Sequence, residues 1–150
     1  GIDPGVNGGI AALSAGGTVL EVWKMPESVS DLVDVLLSLR ERTYTEGDRV
    51  FAYLEKVHSG AFRAQGARMG VKSAFTFGQG LGRLEGVLAG VRIPYEDVLP
   101  ARWQKSLGCL THGDKKVSYR HAQKLFPQVK VTYAIADALL IAEYGRRRGF

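Results

Sequence analysis

Apolar positions along the chain follow two rhythms, alternation in short runs and helical spacing in longer ones. Three short strands open the sequence: the end of one at Gly1 to Asp3, a second in "GGIAALS", and a third in "TVLEVWKM" after the "AGG" turn at Ala15 to Gly17. Glycine-bearing turns at such close spacing predict antiparallel hairpins. From Ser28, "SVSDLVDVLLSLRER" carries cap-type residues and aspartates early, arginines late, and Leu and Val at helical spacing, which predicts an amphipathic helix. "RVFAYLE", from Arg49 to Glu55, is rich in β-formers and predicts a buried strand whose last residue is a carboxylate.

A glycine-bearing loop, "HSGAFRAQGARMGV", leads into "KSAFTFGQGLGRLEGVLAG", which reads as a helix despite Gly78, Gly80, Gly82 and Gly86. Each glycine costs such a helix about 1 kcal/mol relative to Ala. Their near-helical spacing points to a flat face on which another backbone packs. "VRIPYEDVL" predicts a further strand, with Pro94 favouring an edge or a strand terminus. The helices "ARWQKSLG", "DKKVSYRHAQKLF" (closed by Pro127) and "AIADALLIAEYGRRR" complete the chain. The order β-β-β-α-β-α-β-α-α-α predicts an α/β fold in which an antiparallel three-strand meander joins parallel strands through helical crossovers. No internal repeat or linker stands out, so 1–150 is expected to be a single domain.

The 150 residues suffice for one substantial core, and no apolar run approaches the length of a membrane span. There is no visible secretory signal. The chain opens at Gly1 with no initiator Met, so residues ahead of it are expected, either more of the first strand or a processed peptide. Cys109 is the one cysteine, which rules out an intrachain disulfide and a cysteine-rich zinc site. Charge is divided unevenly: residues 1–55 carry 4 basic and 9 acidic side chains, and residues 56–150 carry 16 and 6. Solubility alone does not call for that asymmetry, and the basic part suits a polyanionic partner.

Three acids share one setting, each flanked by apolar residues. Asp3 ends the first strand, Glu55 ends the fourth, and Asp137 sits in "IADALLIA" near the start of the final helix. Burying an ionised carboxylate costs several kcal/mol, on the order of a lost ion pair, unless it is paired or liganded. Each has an ordinary reading too: Asp3 as a turn former, Glu55 as a strand-end ion pair, Asp137 as a charge complementing the helix dipole. If the first and fourth strands are neighbours with the last helix across them, the three converge. Oxygen-only ligation then favours Mg²⁺ or Mn²⁺.

The motifs "GIDPGVNGG", "YLEKV", "FTFGQGLGRLEGVLA" and "ADALLIA", in this order across nearly the whole chain, resemble those of the RuvC-type Holliday junction resolvases, a compact phage and bacterial branch of the ribonuclease H-like nucleases. The resemblance implies a ribonuclease H-like mixed five-stranded sheet flanked by helices and a cytoplasmic homodimer from a bacterial or phage-infected cell, an organelle being the other source. It also implies cleavage of two symmetric strands of a four-way DNA junction with Mg²⁺ or Mn²⁺, two ions per active site. Asp3, Glu55 and Asp137 match the family's metal-binding acids. A fourth ligand, acid or His, usually precedes the last acid by three or four residues. Here those positions are Ala134 and Tyr133, so either fewer protein ligands hold the second ion or the chain carries an inactivating substitution.

Lys105 in "RWQKSLG" and Lys115 in "GDKKVS" match family lysines near the scissile phosphate, with Lys116 an equal candidate; all three also read as ordinary surface lysines. The loop after Glu55 lies where relatives place residues that enter the junction centre. There His58, Phe62, Arg63 and Arg68, with Lys72 beyond them, are DNA-binding candidates, Phe62 being suited to stack on an unpaired base. The "GRRRGF" end reads as a solvated basic tail. Competing readings are another ribonuclease H-like metal nuclease with a different branched or hybrid substrate, a non-cleaving junction-binding protein, and an actin-like phosphotransferase, for whose second domain 150 residues leave no room.

Overall fold

The computed structural model describes residues 1–45, 49–56 and 70–149. In chain order the described elements are β1 (Ile2–Asp3), β2 (Gly9–Leu13), β3 (Val19–Lys24), α1 (Val29–Thr45), β4 (Ala52–Glu55), α2 (Val71–Gly90), β5 (Tyr95–Val98), α3 (Pro100–Leu107), α4 (Lys115–Leu125) and α5 (Tyr133–Arg148). The five strands form one mixed sheet in the order β3-β2-β1-β4-β5. β1, β2 and β3 are the expected antiparallel meander, while β4 lies parallel to both β1 and β5.

Alternation along the strands sorts the core into two layers. Ile2, Ile10, Ala52 and Leu54 bury themselves on one face with Leu32 and Leu36 of α1 and Leu84 and Leu88 of α2. Ala11 and Tyr53 point to the other face, against Leu139, Leu140 and Ile141 of α5 and Trp103 of α3. Because side chains alternate with period two, Asp3 and Glu55, next to Ile2 and Leu54, belong to the α5 face. The register Ile2↔Leu54 sets them side by side at the ends of adjacent parallel strands.

The helices begin and end where local chemistry requires. Ser28 Oγ accepts the Asp31 N–H at 3.0 Å ahead of α1, and Asp114 caps α4 by accepting the Lys116 N–H at 2.9 Å. α3 starts with Pro100 in its first turn and stops at Gly108, whose φ of 70° is left-handed. β4 and β5 are shorter than their sequence patterns, starting at Ala52 and at Tyr95, just after Pro94. Pro94 cannot donate to the ladder, but its carbonyl accepts the Ala52 N–H at 2.9 Å.

Two expectations change. Among the described residues no other backbone packs on the glycines of α2: a Cβ at Gly78, Gly80, Gly82 or Gly86 would meet nothing within 4 Å. The arginines read as a solvated tail belong to α5 and are paired, with Arg147 and Arg148 still exposed. Arg146 grips the buried Glu143 through two hydrogen bonds of 2.7 and 2.8 Å, and Arg147 adds a third of 2.7 Å. Arg148 donates to the Tyr144 hydroxyl and pairs with Glu96. Glu143 has to be paired because α5 buries nearly its whole surface between Ile135 and Gly145. No described helix is long and apolar enough to cross a membrane.

Candidate active site

Asp3, Glu55 and Asp137 arrive from β1, β4 and α5 and stand close enough to feel one another's charge. Room for Asp3 comes from a missing side chain. A Cβ on Gly8 would strike the Asp3 backbone oxygen and come within 2.7 Å of its Cγ and 2.9 Å of Oδ2. Gly9 serves the helix in the same way, since its Cβ would lie 2.8 Å from the Ala134 carbonyl oxygen and 3.2 Å from Ile135 Cγ2. The two glycines of "NGG" thus let the start of β2 and the first turn of α5 close around the end of β1.

All three acids hold their protons more tightly than usual. For Glu55 burial is the main cause, reinforced by repulsion from Asp3, and together they raise its pKa to about 8 against the hydrogen bond from Trp103. Burial and the charge of Asp137 raise Asp3 to about 6, opposed by the Gly5 N–H, which donates to Oδ1 at 3.3 Å. Asp137 is also raised, first by burial, while a hydrogen bond from Ser118 and the charge of Lys115 oppose the shift. Lys115 is the cation that lowers all three.

The donor set suits a hard divalent cation. Asp137 Oδ1 is buried with no hydrogen-bond partner among the described residues. Buried polar atoms are normally satisfied, so an orphaned carboxylate oxygen on an acid whose charge reaches Asp3 and Glu55 fits a coordinating position. Among the described residues no three acid, His or Cys side chains gather at single-ion ligating geometry. The acids are neighbours, not a closed cage.

The remaining candidates divide. Lys115 and Lys116 are both exposed in the first turn of α4, and it is Lys115 whose charge reaches the acids. Lys105 is exposed on α3 two residues after Trp103, which places it on the far side of the helix from the indole that reaches Glu55. Lys72 is exposed in the first turn of α2. His58, Phe62, Arg63 and Arg68 lie outside the described residues.

Three contributors escaped the sequence reading. Trp103 is fully buried and its indole N–H donates to Glu55 Oε1 at 2.9 Å. A buried Trp requires a partner for that N–H, and an acid at a strand end was available to supply it. Ser118 and Gly8 are the others, and Gly8 carried a usable signal in the paired glycines directly after Asn7.

No protein-family model matches the sequence, and no curated protein matches it. Solved structures do. The Thermus thermophilus RuvC structure matches with a TM-score of 0.61 and 19% identity, covering 99% of this chain and 95% of that one. T. thermophilus RuvC in complex with Holliday junction substrate matches with a TM-score of 0.64, again at 19% identity, covering 99% and 94%. The sheet order and helix placement described above, together with these matches, give the chain a RuvC-like, ribonuclease H-like fold.

Proposed function

We propose that this protein is a structure-specific endodeoxyribonuclease that resolves four-way DNA junctions by symmetric, divalent-metal-dependent phosphodiester hydrolysis, working as a homodimer. The observation that carries the reading is the meeting of Asp3, Glu55 and Asp137 from three separate elements, with Lys115 the cation they share. The likeness to RuvC bound to a Holliday junction supports the choice of substrate.

Asp3, Glu55 and Asp137 would hold Mg²⁺ or Mn²⁺, two ions per site. When bound, such ions activate a water and stabilise the leaving oxygen. The chain's own residues prepare the site. Trp103 fixes the orientation of Glu55, Gly8 leaves Asp3 its space, and Lys115 offers a mobile point charge to the phosphate. The basic excess after residue 55 supports binding to the phosphate backbone. The open glycine face of α2 supports a two-fold dimer, which would set two active sites against opposite strands.

One observation favours a second reading, a junction-binding protein that does not cut. Ala134, in the first turn of α5, presents a methyl group where the resemblance calls for a fourth ligand. A labelled synthetic four-way junction, incubated with the protein in Mg²⁺, Mn²⁺ or EDTA beside duplex, flap and RNA–DNA hybrid substrates, separates the readings. Paired metal-dependent nicks confined to the junction support resolution. Tight junction binding with no product in either metal supports the non-cleaving protein, and preferred cutting of the hybrid assigns a different nuclease.

A further inference from the structure

Tyr119 of α4 and Tyr133 of α5 stack with ring centroids 4.5 Å apart and planes 21° from parallel. The pair is braced from behind, because the Gln123 side-chain amide donates to the Tyr119 hydroxyl at 3.0 Å. Tyr133 is nevertheless 52% exposed, so with one face covered by Tyr119 its opposite face and edge are open to solvent. Packing α4 to α5 does not require this, since Ala122, Leu139 and their neighbours already bury that contact.

The position of the pair points to a ligand. Tyr133 and Asp137 are four residues apart on α5, and Lys115 and Tyr119 are four apart on α4, so each pair shares one helix face. The stacked rings therefore stand one helical turn, roughly 6 Å, from the acids and from the lysine whose charge reaches them. Successive phosphates of a duplex strand are about 3.4 Å apart along the axis, so a base reaching the rings belongs to a nucleotide about one or two steps from a phosphate at the acids. A rigid, half-exposed aromatic ring at that distance matches what an unstacked base seeks.

We propose that the open face of Tyr133, held in place by Tyr119 and Gln123, is a stacking platform for an unpaired nucleobase adjacent to the phosphate at Asp3, Glu55 and Asp137. The inference rests on the nuclease reading for the position of that phosphate. Recognition is through the base's π-face, so the platform tolerates any of the four bases. The hydroxyl of Tyr133 is not required; the ring is.

The test uses four-way junctions with 2-aminopurine placed singly at each nucleotide flanking the crossover, titrated in EDTA so that no cleavage intervenes. Fluorescence of one or two of these probes should be quenched by the parent protein, equally quenched by Tyr133→Phe, and left unquenched by Tyr133→Leu, whose junction Kd should rise roughly five- to a hundred-fold. Affinity for a plain duplex of the same length should stay the same in all three. If Tyr133→Leu melts well below the parent, Tyr133→Gln at this exposed position takes its place. Undiminished quenching by Tyr133→Leu, or by Tyr133→Gln where it takes that place, overturns the platform, as does a parent that quenches no probe. A parent that cuts junctions in Mg²⁺ without Tyr133-dependent quenching defeats the platform and leaves the nuclease reading standing; Tyr133-dependent quenching with no cutting in Mg²⁺ or Mn²⁺ does the reverse.

Discussion

The indole of Trp103 donates to Glu55 Oε1 across 2.9 Å, tying α3 to the end of β4. The bond stabilises the charged form of Glu55, whose pKa burial and Asp3 already raise to about 8. Trp103→Phe keeps most of the buried volume and deletes the donor, which costs the ionised form of Glu55 about 1.5–3 kcal/mol. Glu55 then ionises at higher pH. A pH–rate profile of junction nicking should show the acidic limb moved upward and the rate near neutrality reduced by roughly ten-fold. A superimposable profile would show that the bond does not govern Glu55.

Stability without metal should fall as pH rises. Folding lifts Glu55 from 4.5 to about 8 and Asp3 from 3.8 to about 6. Between each pair of values the native state holds more protons than the unfolded chain, so the contribution is full below the unfolded pKa and is lost as pH climbs through the folded one. Thermal melts in EDTA should give a Tm that drops from about pH 5 to about pH 8, with Glu55→Gln flattening the drop and melting above the parent at the alkaline end. Mg²⁺ should restore the parent there and leave the variant nearly unmoved. The buried N-terminal amine, lowered to about 5, works in the opposite direction, so the difference between parent and variant is the reading: a Glu55→Gln profile parallel to the parent's contradicts the burial of Glu55.

Gly8→Ala tests the space around Asp3. The new methyl group would crowd the Asp3 backbone oxygen and lie 2.7 Å from Cγ, and neither the strand backbone nor the carboxylate can give way freely. Expected are a stability loss of about 1–3 kcal/mol by denaturant titration and at least ten-fold slower nicking. Parent-like stability and rate would mean that the turn can relax around a side chain.

Gly86→Leu separates the monomer from the dimer. No described residue lies within 4 Å of a Cβ at this position, and replacing a helical glycine should stabilise an isolated chain by roughly 0.5–1 kcal/mol. On a face where two copies of α2 approach closely, the same leucine prises them apart. Light scattering should show a dimeric parent and a mainly monomeric variant whose two nicks are no longer coupled. A fully dimeric Gly86→Leu moves the interface to another surface.

Much of this was legible in the sequence because it is local. Alternation in "GID" and "YLE" placed Asp3 and Glu55 at strand ends, and the apolar run around Asp137 marked it as an acid costly to bury unless paired or liganded. What was not legible depends on pairs far apart in the chain. Trp103 and Glu55 are 48 residues apart, and no period connects them. Lys105 and Lys115 look alike in sequence; only the rotation of α3, set by burying Trp103 and Leu107, turns Lys105 away while α4 brings the charge of Lys115 within reach of the acids. The arginines after Tyr144 read as a tail because Glu143 reads as a surface residue until α5 is seen to be buried on nearly all sides.

The most direct measurement compares cleavage and binding of one labelled four-way junction by the parent, Asp3→Asn and Glu55→Gln, in Mg²⁺ and in EDTA. Each variant removes a carboxylate charge from the shared site and little that touches DNA, and each relieves repulsion among the buried acids, so both should fold. The parent should nick the junction in Mg²⁺ and not in EDTA, while both variants bind within a few-fold of the parent and cut at least about a thousand-fold more slowly. Cleavage by either variant within a few-fold of the parent, or equal cleavage by the parent in EDTA, would contradict a metal-dependent nuclease centred on Asp3, Glu55 and Asp137.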